Sequence, residues 1–382
     1  MKLNPLYTAL LFILPSSFAL AGGLDRSGQS ISAFLQPGNY AEAGITVIDP
    51  KVSGQTHAKL GNQPISDMAS DYYFPSAAVK VQATEQISLG LLYDQPYGAD
   101  SIYPTDTSAF TQVSPLLKGP ESTQVEVKTN NLTALIGYQP NENWNVYAGP
   151  VWQTVAADIK LRGDAYGKAG YNITVAEEEA WGWLAGFAYQ IPEIALKASL
   201  TYRSEIDHNA TAKESFGFGS IGSPFTPDVT ATTPQSVNLD FQTGVAENTL
   251  AFANLRWVNW SNFAVTPAFL KQQTKSNLID YSDDQWSANV GVGRKFNQKW
   301  SANALVSYDS GAGNPVTTLG PTEGYWGVGV GAQYSPADNY FIQAGLRHLW
   351  LGDATAKAGP NLVADFTDNN AWAYGMKIGY RF

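Results

Sequence analysis

Trp372-Ala373-Tyr374-Gly375-Met376-Lys377-Ile378-Gly379-Tyr380-Arg381-Phe382 is the end of the chain and the stretch that decides its fold. Large apolar side chains stand at every second position, from Trp372 through Tyr374, Met376, Ile378 and Tyr380 to Phe382. Small or charged residues fill the places between. A period of two is that of a β-strand whose faces meet different surroundings. The pattern recurs at Trp300, Ala302, Ala304, Val306 and Tyr308, against Ser301, Asn303, Ser307 and Asp309. It recurs again at Trp326, Val328, Val330, Ala332 and Tyr334, against Gly327, Gly329 and Gly331. Those three glycines share one strand face, so their spacing is not that of a nucleotide loop.

A soluble sheet also alternates, but here the chain stops on an aromatic residue. A terminal aromatic on an alternating last strand is typical of bacterial outer-membrane barrels. It resembles the signal read by the barrel-assembly machinery, carried here by Tyr380 and Phe382. The expected fold is all-β: a transmembrane antiparallel barrel with lipid on the greasy side and a lumen on the other. Trp372, Tyr374, Ile378 and Tyr380 should then face lipid, with Lys377 and Arg381 inside. The N-terminus agrees. Lys2, the apolar run 10–14, a Pro15-Ser16-Ser17 break and Ala19-Leu20-Ala21 read as a secretory signal over residues 1–21, with the mature chain starting at Gly22. That run is far short of the roughly 20 residues of a spanning helix.

The chain of 382 residues has no cysteine, which excludes a disulfide framework and suits passage through an oxidising periplasm. Its net charge is -10, and no basic patch offsets it, so nucleic acid is not an expected partner. Aromatics at 13% and 35 glycines fit interfacial girdles and close strand packing.

Tight polar turns, as at 83–86, 140–143, 191–193, 246–248, 297–299 and 336–339, alternate with long Gly/Pro/Ser-rich connections such as 98–122, 211–234, 261–282 and 353–369. Short turns on one side and long loops on the other are the asymmetry of an outer-membrane barrel. The count comes to about fourteen strands. Residues 22–38 read as a short N-terminal plug segment, with Phe34, Leu35 and Pro37 as its candidate contacts, and 39–382 as one closed barrel.

Several segments together resemble the FadL family of outer-membrane channels for long-chain fatty acids and hydrocarbons. The opening strand, Ala41-Glu42-Ala43-Gly44-Ile45-Thr46-Val47-Ile48-Asp49-Pro50-Lys51-Val52-Ser53-Gly54, is similar to the family's first strand. Pro96-Tyr97-Gly98 followed by Tyr103, the run from Thr201 to His208, Arg256-Trp257-Val258-Asn259-Trp260, and Ser307-Tyr308-Asp309-Ser310-Gly311 also fit, in order and spacing. The resemblance covers roughly residues 39–382. It implies a passive channel without cofactor, most simply for long-chain fatty acids, with binding in an apolar barrel pocket and lateral release into the membrane. An aromatic-hydrocarbon channel of the same fold is the alternative within the class. Outer-membrane lipid and lipopolysaccharide are the expected surroundings, and a monomer the expected state. The plug is shorter than the family's and lacks its asparagine-proline-alanine signature, so a weaker plug and a higher basal leak are expected.

Pro96 lacks an N–H and Gly98 permits a bend, so Pro96-Tyr97-Gly98 is the candidate lateral opening. Read alone, the same tripeptide more readily starts a loop; the resemblance puts the gap ahead. Pro96→Thr with Gly98→Val is expected to close it. A carboxylate head group wants a cation near an apolar pocket. Lys160 and Arg162, which end the fifth strand in a position similar to basic residues of the family's pocket, are the candidates, with Arg203 and Arg256 as further ones. For each of them alone, a plainer reading as a rim or lumen charge is the stronger. Glu177-Glu178-Glu179 and Asp283-Asp284 read as solvated rim charges. Ser204 and His208 are the minimum an outer-membrane lipase would need, the reading from a different class. Four residues along a strand separate them by roughly 13 Å, so His208 reads as a rim residue.

Overall fold

The computed structural model describes residues 24–113, 119–167, 170–217 and 225–382. The signal expected over 1–21 and the start at Gly22 lie outside the described residues. Fourteen antiparallel strands close into one barrel. They are β1 (Tyr40–Lys51), β2 (Tyr72–Gln82), β3 in two pieces (Ile87–Asp94 and Gly98–Ile102), β4 (Gln124–Tyr138), β5 (Trp144–Leu161) and β6 (Tyr171–Ile191). Then come β7 in two pieces (Leu196–Arg203 and Ile206–Phe216), β8 in two pieces (Asp228–Thr233 and Ser236–Ala246), β9 (Thr249–Val258) and β10 (Gln285–Lys295). The circuit ends with β11 (Trp300–Asp309), β12 (Tyr325–Ala337), β13 (Tyr340–Leu351) and β14 (Asn370–Arg381). The last strand closes on the first, from Tyr40↔Arg381 to Lys51↔Asn370. Closure leaves no free edge, the condition for a sheet to persist in lipid.

The alternation in sequence builds the wall. Trp372, Tyr374, Met376, Ile378 and Tyr380 are exposed on the outer face. Lys377 turns inward and pairs with Glu42 at 3.2 Å, and the Arg381 guanidinium lies 6.0 Å from the Tyr40 ring centre. Ser88, Thr133, Gln333 and Gln343 are buried on the inner face. The long loops are more ordered than their composition implies. Gly54–Thr56, Pro64–Ile65, Val316–Thr317, Ala354–Ala358 and Asn361–Phe366 form a five-stranded sheet at the outer end, and a helix α1 (Ala268–Thr274) lies between β9 and β10. Such short pieces show no period in the sequence.

Residues 24–36 lie inside the barrel. Phe34 is fully buried, edge-on to Tyr147 with ring centres 5.8 Å apart, against Gly90 and Gly137, where no side chain would fit. Ile31 and Leu35 pack beside it, whereas Pro37 is exposed where the segment leaves for β1. The segment's carbonyls are claimed by the wall: Lys80 Nζ donates to Gln36 O at 2.6 Å, Lys197 Nζ to Leu35 O at 2.7 Å and Asn238 Nδ2 to Gly28 O at 2.8 Å. Asp25 and Arg256 form an ion pair at 2.8 Å with both side chains removed from solvent. These bonds run against the expectation of a weak plug. What the segment lacks in length it gains in charged and amide anchors from β2, β7, β8 and β9.

Among the described residues the ladder is interrupted at several places, two of them wide. One is between β2 and β3. The other is between β6 and β7, which pair from Leu184↔Arg203 downward and from Val175↔Ala212 upward but not along most of the stretch between. There Ile206 and Ser204 fill the space against Gly182, and the Ser204 hydroxyl accepts from Trp183 N–H at 3.0 Å.

Candidate binding cavity and wall opening

Opposite β4, the register of β3 runs Asp94↔Asn131 and then Gly98↔Lys128. Three residues of β3 (Gln95, Pro96, Tyr97) thus face two of β4 (Thr129, Asn130), which is a bulge, and Pro96 brings no N–H to it. Thr129 substitutes for the ladder: Tyr97 N–H donates to its hydroxyl at 2.9 Å, and that hydroxyl donates to Tyr97 O at 2.7 Å. On the other side, β2 and β3 pair only from Ala77↔Tyr93 to Gln82↔Ser88. Contact resumes above, where Ser70 N–H donates to Asp100 O at 3.3 Å. Residues 72–76 of β2 keep β1 as a partner and have none on β3. The result is a window in the wall between β2 and β3.

The plug lies behind this window. Arg26 N–H donates to Pro96 O at 2.6 Å, and Gly98 N–H donates to Leu24 O at 2.8 Å. Residues 24–26 thus take the bonds that β2 does not. Pro96, Tyr97 and Gly98 stand at this bulge. The expected effect of Gly98→Val is corrected, because a Cβ at Gly98 would come within 2.5 Å of the Arg26 guanidinium carbon. A side chain there pushes on the plug before it mends the ladder.

Three cavities lie at this level and above. An outer one of about 370 Å³ lies under the loops, with Leu161, Phe216, Leu270 and Leu319 in its wall. A second, of about 60 Å³, is lined by Val127, Ile159, Val175, Ala210, Trp260 and Phe263, with Leu24 and Tyr97 also in its wall. The rings of Tyr97 and Trp260 meet edge-on at 5.5 Å, and those of Trp260 and Phe263 at 5.1 Å. A third, of about 80 Å³, backs onto the window and shares Leu24 and Ile279 with the second and Leu319 with the first. A loop clamp stands nearby: Lys357 Nζ meets Asp280 at 2.7 Å. Burial raises the Asp280 carboxyl, but bonds from Lys357 and Asn277 outweigh it and hold the group below the usual carboxylate range.

The candidate cations divide. Lys160 is corrected: Ile159 and Leu161 face the cavities, so the strand's alternation turns Lys160 to the opposite face. Arg162 is corrected as well. Its guanidinium is buried and donates to Glu121, to the carbonyls of Leu161 and Tyr171 and to Asn172, tying loop to strand. Arg203 donates to the Gln29 carbonyl from Nη2, while its buried Nη1 has no protein partner. It lines a lower cavity of about 70 Å³ with Ser27, Asp94 and Lys377. His208 is no rim residue. Above Ser204 the strand turns it into the apolar cavity wall, where Nε2 bonds Gln153 at 2.8 Å. Ser204 meets Trp183 instead, so the two form no nucleophile–base pair. Glu178 lines the apolar cavity, while Glu177 and Glu179 are exposed. Arg26 had no local signal, since nothing in a polar N-terminal stretch tells which side chain will reach the wall.

A closed barrel with part of its own chain in the lumen and apolar cavities beneath its outer loops is an outer-membrane channel rather than an open aqueous porin. The model of the family described as outer membrane protein transport protein (OMPP1/FadL/TodX) matches residues 29–382, and the chain belongs to this family. Its place is the bacterial outer membrane. No curated protein matches the chain in sequence. Among solved structures it is similar to a FadL homologue of Pseudomonas aeruginosa, at 14% identity and TM-score 0.71 over 92% of each chain. It is also similar to the Pseudomonas putida toluene transporter TodX, at 13% identity and TM-score 0.64, over 92% of this chain and 91% of that one. The monoaromatic hydrocarbon channel CymD matches at 12% identity and TM-score 0.59, over 91% and 89%. At these identities the structures bear on the fold alone.

Proposed function

We propose that the chain is a passive uptake channel for hydrophobic compounds, foremost long-chain fatty acids, which bind beneath the outer loops and leave sideways through the β2–β3 window. The observation that carries this reading is the order of polarity along the lumen. The second cavity is walled chiefly by valine, isoleucine, alanine and aromatic side chains, with Glu178 and His208 among them, while the lumen below is crossed by the plug and its ionic anchors. Each methylene moved from water into such a site gains about 0.8 kcal/mol. A tail that has entered has no apolar way down, and the window is its route to lipid. Monoaromatic hydrocarbons are the second reading, favoured by the edge-on cluster of Tyr97, Trp260 and Phe263. Arg203, with its unpaired Nη1, is the lower cation that a carboxylate would meet if the plug moved.

Displacement of a fluorescent fatty acid from the purified protein tests the binding step. Palmitate should displace the probe, and Ala210→Asp, which puts a carboxylate into the apolar wall, should weaken it at least tenfold. Unchanged affinity in that variant would place binding elsewhere.

The channel works as a monomer within lipopolysaccharide and lipid, after removal of residues 1–21 and insertion by the assembly machinery. Phe382 is 55% exposed and its ring stacks only on Tyr380, at 6.0 Å, so the finished wall loses little without it. Deleting Phe382 should therefore lower the amount of barrel in the outer membrane severalfold while leaving the melting of the assembled fraction nearly unchanged. Normal outer-membrane levels would remove its role as a signal.

A further inference from the structure

We propose that Arg26 is the latch of the wall window and its selectivity residue, closing it against Tyr72 and yielding to a ligand carboxylate, so that anionic amphiphiles pass and neutral hydrocarbons of equal length do not. This rests on the lateral route proposed above and names the chemistry that opens it.

The Arg26 side chain spans the two edges of the window. On the β2 edge its guanidinium carbon lies 4.0 Å from the centre of the Tyr72 ring. On the β3 edge it lies so close to Gly98 that a Cβ there would be 2.7 Å from Nε and Nη1. The segment whose backbone bonds Pro96 and Gly98 from inside the barrel, residues 24–26, also carries this side chain. Arg26 therefore fills the opening that the missing β2–β3 bonds leave. The residue is 7% exposed, and its Nε is buried without a hydrogen-bond partner. Asp100 lines the same chamber and, with Glu126, attracts the guanidinium through space; the remaining wall includes Val52, Met68, Ile279 and Leu319. A fatty acid arriving from the apolar cavity can lay its tail on these side chains with its head at the guanidinium.

A planar guanidinium holds a carboxylate through two parallel charge-assisted bonds, a stronger arrangement than its contact with an aromatic face. A carboxylate can therefore draw Arg26 off Tyr72 and satisfy Nε in the same movement. A hydrocarbon or an ester offers no such exchange, and the latch stays shut. Because Arg26 and Leu24 belong to the plug's first residues, the movement needs no release of the Asp25–Arg256 anchor: the side chain swings while the backbone stays.

The test uses the full chain in outer-membrane vesicles from a host without its own channel of this family. Radiolabelled palmitate or methyl palmitate is added outside, and label in the washed vesicle lipid is counted. The parent should deliver palmitate at least tenfold faster than the ester. Arg26→Met should bring the two rates within about twofold of each other. Gly98→Ala, which displaces the guanidinium without removing it, should raise ester delivery severalfold, and it serves as an independent probe if Arg26→Met assembles poorly. A parent that delivers both compounds equally, or variants that keep its preference, would overturn the latch while leaving lateral uptake standing. A parent that delivers neither above empty vesicles would overturn the lateral route and the latch with it.

Discussion

A Pro75→Cys/Gln95→Cys variant should lose delivery of hydrophobic substrate to the membrane at least tenfold on oxidation and recover it on reduction. The two positions would face each other if the β2–β3 ladder continued past its last pair, Ala77↔Tyr93, and both lie on the outward face of their strands. A disulfide there must draw the strands to a Cα separation of about 4.4–6.8 Å, which closes the window from the lipid side without touching the plug's bonds. The chain has no cysteine of its own, so no other pair competes. Binding in the apolar cavity should persist in both redox states, since Ile159, Ala210 and Trp260 lie on other elements. Delivery that continues with the disulfide formed would mean that substrate leaves by another path.

The second large effect concerns the plug. Removing one partner of a buried ion pair strands the other charge, at a cost of about 3–5 kcal/mol. Asp25→Ala leaves Arg256 with its bonds to Ser236, Asn238 and Gln29 but without a counter-charge. The segment should then spend much of its time out of the lumen. In planar bilayers the parent should show little conductance and Asp25→Ala steps characteristic of an open bore, with polar solutes entering cells that carry it. Silent bilayers from an assembled Asp25→Ala barrel would show that the remaining anchors, Lys80, Lys197 and Asn238, hold the plug by themselves.

The two experiments separate two barriers. In the route proposed above, the window governs lateral passage of apolar compounds and the plug axial passage of polar ones. On that route the tail does not need the lower lumen, so the plug can be held by buried charge without hindering transport.

The strand period of two in Trp372 to Phe382, and its recurrence in β11 and β12, determined the barrel, the inside and outside of its wall, and the side on which the long loops lie. These are local properties: a side chain's face follows from its neighbours along one strand. The same parity was enough to turn Lys160 away from the cavity, had it been counted from Ile159. Pro96-Tyr97-Gly98 alone reads more readily as the start of a loop, and only the resemblance points to a break there. The rest came from chain segments far apart. Whether Arg162 was free depended on Glu121 and Asn172, and whether a short plug would hold depended on Arg256, Lys80 and Lys197. His208 became a cavity residue because β7 leaves β6 above Ser204. Arg26 acquired a place in the wall only when residues 24–26 supplied the bonds that β2 withholds from β3. Strand alternation is written in the order of residues; the pairing of a buried charge is fixed by which distant strands the closed barrel brings to it.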